Sequence, residues 1–508
     1  MKATVIIMNT RHSLSFFLAA VLLLSGLVSC SADTPDSSMD TGAPAGTDSP
    51  AETEPAVNPL SAADFVPDDI RYDGQTFTIL HGNGWNYTYD GYITSPYNEV
   101  APDPDTVAAG DIINEAVVKR NRMTEEKLGI HITSVEKPCH TFNQDISLSV
   151  MAGDNAYDAV CGTVSTVFDC AVEGLLTPLS SIETLDLTHP WWDWKVMEQY
   201  SYGENHDVVY FINGDINYLD NYGSELITFN KTLIGKYGLE DPYQLVRDHT
   251  WTFDKMMEMC RDLYQDLDND GAHSFEDQYG FAASVGVLDR MIPAAGLSVT
   301  VPLNTTQYTV NETEAFMNAL DHFYDSLINH NSTWFDGGDY AGLFGNGRAL
   351  FAHNLLSAVP GYGKNMEDDF GVLPFPLYEE SQEHYYAPIN SMYGSAYAVI
   401  TTADPERAGY VLDVMGAFSA DTVTEAVIDK TCLIKSIRDE DTAEMLHIVF
   451  DGTIYPGNSI EEWGNTYTTL LEIISKKKNN FASRLAGMKK RIEKESEKEI
   501  SILANPEA

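Results

Sequence analysis

Between Thr76 and Val160 the chain alternates strand and helix patterns, and this order constrains the fold more than any other feature. Thr76–Leu80 (TFTIL) is a short apolar run of strand composition. Residues 111–128 carry Ile113, Ala116, Val117 and Leu128 on one helical face, and Gly129 stands where a C-cap is needed. Ile130–Val135 reads as a second strand, Asp145–Met151 begins a helical pattern, and Tyr157–Val160 is a third strand. Strands separated by helices cannot pair as hairpins, so the order predicts an open, largely parallel sheet of the α/β class. In such sheets ligands sit outside the carboxyl ends of the strands.

The next informative stretch is His206–Ile234. Two extended apolar runs, Val208–Ile212 and Leu226–Phe229, flank a turn-rich span from Gly214 to Gly223. This is where the chain is expected to cross from one lobe to another, with Tyr222 in the turn between them. Beyond it, Thr252 is placed to cap a helix over Phe253–Leu263. Asn311 and Glu314 have capping-box spacing before a helix whose stripe is Phe316, Leu320, Phe323 and Leu327. Ala349–Phe351, Phe370–Leu373 and Ala396–Ile400 read as strands, and Asp404-Pro405 as N-cap and N1 of a helix over Glu406–Phe418. Asp441–Glu444 has the spacing of a further helix start. Leu470–Leu503 is a basic helical segment with interleaved glutamates, expected to be a solvated helix laced with charge pairs.

The N-terminus carries a secretory signal. Lys2, Arg11 and His12 precede the apolar run Leu14–Leu24, which is too short to span a bilayer comfortably. Leu27-Val28-Ser29-Cys30 follows and resembles the bacterial lipobox, which implies cleavage before Cys30 and lipidation of its thiol. Residues 31–60 contain no aromatic residue and are mostly Ser, Thr, Pro, Ala, Gly and acid, the composition of a flexible tether. The expected product is a protein held by lipid on the extracytoplasmic face of the cell membrane. Taking Cys30 for lipid leaves five scattered cysteines with no CxxC pair, so buried free thiols are expected rather than a disulfide framework or a zinc site. The formal charge of −46 repels nucleic acid and anionic lipid, and nucleic-acid binding is not expected.

Asp266–Asp277 (DLDNDGAHSFED) matches a calcium-binding loop. Asp266, Asp268 and Asp270 supply oxygens at positions 1, 3 and 5, Gly271 stands at 6, the Ala272 carbonyl at 7, Ser274 at 9 and Asp277 at 12. Asp277 replaces the usual glutamate with a shorter arm. The ion would be structural. Catalytic signatures are missing: there is no GxSxG, HExxH or GxxxxGK[ST]. No enzymatic activity is expected, although 76 acids leave carboxylate pairs unassigned and glycoside hydrolysis open.

Several stretches, taken in order, resemble the extracellular solute-binding lipoproteins of bacterial ABC importers, the sugar-binding family that includes maltose-binding protein. They are the lipobox, TFTIL, Asp111–Ile130, Tyr157–Val160, Gly174–Leu179, Pro190-Trp191-Trp192, Tyr210–Asp215, Phe229-Asn230-Lys231 with Trp251, Asp277–Gly280, Gly347–Phe351 and Ser436–Met445. The resemblance implies a two-lobed α/β fold with a hinge and an interlobe cleft. On it, residues 1–29 are signal peptide and 30–61 tether. Residues 62–226 and 348–402 form lobe 1, and 227–347 and 403–508 form lobe 2. It also implies capture of a small solute, a saccharide first, by a monomer that hands it to a membrane permease. Sugar recognition needs aromatic faces beside planar hydrogen-bonding groups. Candidates in the expected strand-end loops are Trp85, Tyr87, Thr163, Ser165, Asp215, Asn217, Tyr222, Asn390, Ser391 and Tyr393, with Trp85 and Asp215 foremost. Trp191, Trp192 and Trp194 are read as a packed lid rather than a stacking platform, and Trp251 as core. The alternatives are a surface glycan-binding lipoprotein and a secreted glycosidase.

Overall fold

The apolar run predicted as the first strand forms β1 (Gln75–Asn83), extended through His81 to Asn83. Its alternation puts Phe77 and Ile79 into one apolar cluster and Leu80 into another, so both faces of the strand are covered, as parallel sheets require. These observations come from a computed structural model that describes residues 61–83, 98–335, 340–359, 361, 366–390, 394–432 and 440–506.

The helix Ile112–Leu128 ends at Gly129, whose φ of 62° is the left-handed conformation of a C-cap. β2 (Ile130–Pro138) then pairs parallel to β1, and β3 (Ala159–Thr163) pairs parallel to its other side. β4 (Leu176–Thr177) closes this sheet, and β5 (Ser201–Tyr202) with β6 (Val208–Val209) make a small antiparallel ribbon. β7 (Glu225–Asn230) opens a second sheet with β8 (Tyr279–Ala282). A hairpin of β9 (Thr300–Asn304) and β10 (Gln307–Val310) follows, then β11 (Thr333–Trp334), β12 (Ala349–Leu355) and β13 (Phe370–Leu373). β14 (Ala387–Pro388) pairs with β16 (Thr453–Ile454), and between them β15 (Ser395–Ile400) returns to the first sheet. The two five-stranded orders are β2-β1-β3-β15-β4 and β11-β8-β12-β7-β13.

This pairing corrects the expected lobe boundaries. β12 and β13 both pair with β7, so 349–373 belongs to the second sheet and does not return to the first near Arg348. The return comes at β15. The helix Pro405–Ser419, assigned by sequence to lobe 2, packs on the first sheet: Ala408, Val411 and Leu412 join the cluster of Phe77 and Ile79. Arg407 pairs with Asp158, and Asp413 accepts from Trp191 Nε1 at 2.9 Å.

Several caps stand where the sequence puts them. Thr252 accepts from Lys255 N–H, and Asp404 accepts from Arg407 N–H ahead of Pro405. The expected Asn311–Glu314 box is displaced: Asn311 Oδ1 accepts from Thr313, and Thr313 itself caps Glu314–Tyr324. Trp251 is fully buried, as expected. Cys161, Cys170 and Cys260 are buried free thiols. The C-terminal helix Phe481–Leu503 is not merely solvated. Leu485, Ile492, Ile500 and Leu503 are buried, and Ser496 Oγ accepts from Tyr308 N–H of β10 at 3.0 Å. Among the described residues no helix is long and apolar enough to cross a membrane.

Candidate functional site at the crossing

The carboxyl edges of the two sheets meet where the chain passes between them. β3 ends at Thr163, and β15, antiparallel to it, begins opposite at Ser395. Ile212 bridges Tyr397, so Asn213–Asn217 emerges on the same edge. In the second sheet, Leu355 at the end of β12 pairs with Glu225 at the start of β7. Between the edges lie the short helix Leu219–Gly223 and the bridge Ser224–Ile389.

The first edge is tied down by a close backbone approach. Trp192 bridges Gly214, and Asp193 N–H donates to Asn213 O at 3.0 Å. Gly214 has φ 147°, and a Cβ there would lie 2.1 Å from Trp191 O, so only glycine fits. This contact brings Asp193 and Trp194 to the sheet edge. A groove of about 340 Å³ opens there, lined on one side by Pro190, Trp192, Asp193, Trp194 and Lys195. Phe450, Asp451 and Thr453 line the other side. Phe450 and Asp451 end the helix Glu440–Asp451, which packs against β13 of the second sheet, and Thr453 begins β16, so the groove draws on both halves of the fold. Trp194 is 61% exposed, whereas Trp192 is 3% exposed and fills core space. The tryptophan run therefore divides: Trp191 and Trp192 pack, as expected of a lid, and Trp194 presents its ring.

Behind the groove is an acceptor-rich interior. Asn213 Nδ2 donates to Ser395 O and, at 3.1 Å, to Tyr455 Oη, while Asn217 Nδ2 donates to Ser395 Oγ at 2.9 Å. The side-chain oxygens of Asn213 and Asn217 are buried without a hydrogen-bond partner. Burial, then the charge of Asp215, raises the Asp193 carboxyl to about 7. Asp215 is raised to about 6 by burial, partly offset by the hydroxyl of Thr424, which donates to its Oδ1 at 2.6 Å. Asp220 is pushed well up by burial and then by Asp193 and Glu99. These carboxyls favour a ligand that supplies hydrogen-bond donors.

The second edge holds a paired network. Glu225 Oε2 meets His353 Nε2 at 2.5 Å, and Glu225 Oε1 accepts from Arg290 Nε at 3.0 Å and from Asn390 Nδ2 at 3.1 Å. Burial would raise Glu225, but His353 and Arg290 outweigh it and hold the carboxyl below its ordinary value.

The sequence-predicted residues fall out as follows. Thr163, Ser165, Asp215, Asn217, Tyr222 and Asn390 all lie at or beside the crossing. Thr163 Oγ1 is 3.4 Å from Ser165 Oγ at the start of the helix Val164–Val172. Tyr222 is helical rather than in an open turn, 6% exposed and edge-on to Tyr218 at 6.1 Å. Trp85, Tyr87, Ser391, Tyr393 and Cys30 lie outside the described residues. Asp193, Asp451, Tyr455 and Glu225 were not anticipated. The available signal was a charge set inside an apolar run, as in Trp192-Asp193-Trp194 and Glu225–Phe229, since a buried charge needs a partner.

In the calcium-like loop, ligand oxygens of Asp266, Asp268 and Asp270 lie within 4.8 Å of one another. Asn269 and Gly271 take φ of 61° and 76°, which folds the loop back on itself. Asp266 Oδ1 is buried without a hydrogen-bond partner. Asp277 turns inward: its oxygens accept from Leu267 N–H, Ser274 N–H and Tyr264 Oη.

Comparison with known proteins agrees with this architecture. The profile of the bacterial extracellular solute-binding protein family matches residues 103–415. No curated protein sequence matches the chain. Among solved structures, a cyclo/maltodextrin-binding protein complexed with maltotetraose is 14% identical, covers 85% of this chain and 97% of its own, and gives a TM-score of 0.52. The maltose-binding periplasmic protein of Listeria monocytogenes in complex with maltose is 13% identical, with 85% and 98% covered and a TM-score of 0.50. A sugar transporter from Rhizobium etli in an open conformation is 14% identical, with 84% and 99% covered and a TM-score of 0.50. The two sheets are thus the lobes of a two-lobed α/β binding-protein fold, and the chain belongs to the bacterial extracellular solute-binding protein family.

Proposed function

We propose that the protein captures a saccharide at the crossing between its lobes and presents it to an ABC permease. The observation that carries this reading is the groove shared by Trp194 and Asp193 on one side and Asp451 on the other. An exposed indole offers a face for sugar C–H groups, and the flanking carboxyls and Lys195 offer acceptors and a donor for hydroxyls. Its volume of about 340 Å³ suits a small solute. Solved proteins of this fold hold maltose and maltotetraose, which supports the ligand class. The lipobox-like Leu27–Cys30 and the tether after it support a lipid anchor, and an extracellular binding family is where such an anchor is used.

Closure of the lobes on the solute, without turnover, is the expected mechanism. Ser224, bridged to Ile389, and Asn390 lie in the connecting segments that would bend. The loop Asp266–Asp277 fits a structural calcium in this reading. Three clustered carboxylates repel one another, a divalent cation offsets that repulsion, and the buried Asp266 Oδ1 stands ready as a ligand. Asp266, Asp268 and Asp270 would hold it with the Ala272 carbonyl and Ser274, while Asp277 braces the loop from inside.

The test is calorimetric titration of the purified chain with mono- and oligosaccharides, peptides and polyamines. Saturable binding of a saccharide without product formation is the expected result. Binding of peptides or polyamines alone would overturn the ligand class, and release of a shortened sugar would favour a glycosidase.

A further inference from the structure

Beneath the first sheet edge is a second constellation that the solute groove does not use. His81 on β1 and Cys161 on β3 are register partners at the carboxyl ends of adjacent parallel strands, so their side chains leave the sheet on the same face. Glu99 reaches the same point from outside the sheet. All three are buried, with exposures of 4%, 0% and 0%. One ligand-type atom of each lies within 4.8 Å of the others. Cys161 Sγ–H donates to Glu99 Oε1 at 3.3 Å. Glu99 Oε2 accepts from the backbone N–H groups of Tyr218 and Leu219 at 3.2 and 3.1 Å, which fixes the carboxylate in place.

A thiol–carboxylate hydrogen bond alone would explain Cys161 and Glu99 as a satisfied core pair. It does not explain the imidazole. His81 Nδ1 is buried without a hydrogen-bond partner, in a side chain that a packed interior ordinarily pairs. We propose that His81, Glu99 and Cys161 form a binding site for a thiophilic divalent cation of the zinc type, with three protein ligands and an open fourth position. A tetrahedral zinc with bonds of about 2.0–2.3 Å leaves neighbouring ligand atoms roughly 3.5 Å apart; Cys161 Sγ and Glu99 Oε1 are 3.3 Å apart, and all three ligand atoms lie within 4.8 Å of one another. On binding, the Cys161 S–H bond breaks, a sulfur–metal bond forms and the proton leaves to solvent. Thiolate and carboxylate then offset the two positive charges, and the imidazole supplies the neutral third ligand. The site is separate from the all-oxygen loop at Asp266–Asp270, because sulfur and nitrogen select a softer ion than calcium.

The backbone amides that anchor Glu99 belong to the short helix at the crossing, so the same carboxylate joins the metal site to the turn that links the lobes. Cobalt(II) reports on the ligand set directly. Titration of the full-length chain is expected to give one equivalent of a thiolate-to-cobalt charge-transfer band and the intense visible bands of a four-coordinate ion, both displaced by zinc. Cys161→Ser is expected to lose the charge-transfer band, and Asp268→Asn in the oxygen loop to keep it. Wild-type protein that shows no charge-transfer band while folded would overturn the site, whatever the variants do. A band that persists undiminished in Cys161→Ser would assign the cation to another thiol and overturn it equally.

Discussion

Asn390 ties the segment ahead of β15 to Glu225: its side-chain amide donates to Glu225 Oε1 at 3.1 Å while its backbone N–H donates to Gly223 O at 3.0 Å. One residue in the segment between β14 and β15 thus holds both the buried acid of the second sheet and the end of the outgoing crossing. Asn390→Ala leaves Glu225 paired with Arg290 and His353 but removes this clamp. A hydrogen bond to a charged group contributes about 1.5–3 kcal/mol. Denaturant unfolding is expected to show a loss on that scale. Asn390→Asp should cost more, because it sets a second carboxylate against Glu225. A variant unfolding at the wild-type midpoint would refute the clamp.

The carboxyls at the first edge make stability depend on pH in the opposite sense from an ordinary ion pair. Asp193 and Asp215 titrate at about 7 and about 6 in the folded protein, against 3.8 ordinarily. Folded chains therefore hold protons that unfolded chains release. The stabilising contribution is full below the unfolded value and is lost as pH climbs through the folded values. Melting temperature is expected to fall between about pH 4 and about pH 7. Asp193→Asn should flatten that slope and gain on the order of 1 kcal/mol at the upper end, discounted for the partial exposure of the group. An unchanged slope in the variant would assign the pH dependence elsewhere.

The sequence made local structure legible where the cause is local. Gly129 ends its helix, Thr252 and Asp404 cap theirs, and the alternation of β1 reads directly as a strand. Lobe membership was not local. Ala349–Leu355 reads as a strand from its composition, but its neighbours are β7, more than a hundred residues earlier, and β8. Nothing in its apolar pattern says which sheet it joins. The site divides the same way. Asp215 and Asn390 were found because they follow or precede recognisable strands. Asp193 was not, because it reaches the sheet edge through the pairing of Trp192 with Gly214. Asp451 and Tyr455 come from the far end of the chain and meet the site only in three dimensions.

Calcium is expected to raise the melting temperature, and a chelator to lower it. The gain follows from ligation of the folded state alone and reaches about 2.7 kcal/mol when free calcium is one hundred times the dissociation constant. Asp268→Asn should weaken the effect. Asp277→Asn should destabilise the protein even without calcium, because Asp277 Oδ1 and Oδ2 accept three protein hydrogens. Thermal denaturation indifferent to both calcium and chelator would remove the ion from the loop.

Two neighbouring tryptophans separate binding from folding. Trp192, at 3% exposure, packs into the core cluster of the first sheet. Its replacement by alanine is expected to cost about 3–5 kcal/mol, the range for deleting a large buried aromatic. Trp194, at 61% exposure, supports little of the fold, so Trp194→Ala should leave unfolding within about 0.5 kcal/mol of wild type. If its ring is the face on which the sugar stacks, the same substitution should weaken saccharide affinity about tenfold, equivalent to about 1.4 kcal/mol. Trp194→Phe keeps an aromatic face and should recover much of the loss. Calorimetry on the two alanine variants separates the effects: a folded Trp194→Ala protein that binds as tightly as wild type would move the solute away from the groove between Asp193 and Asp451.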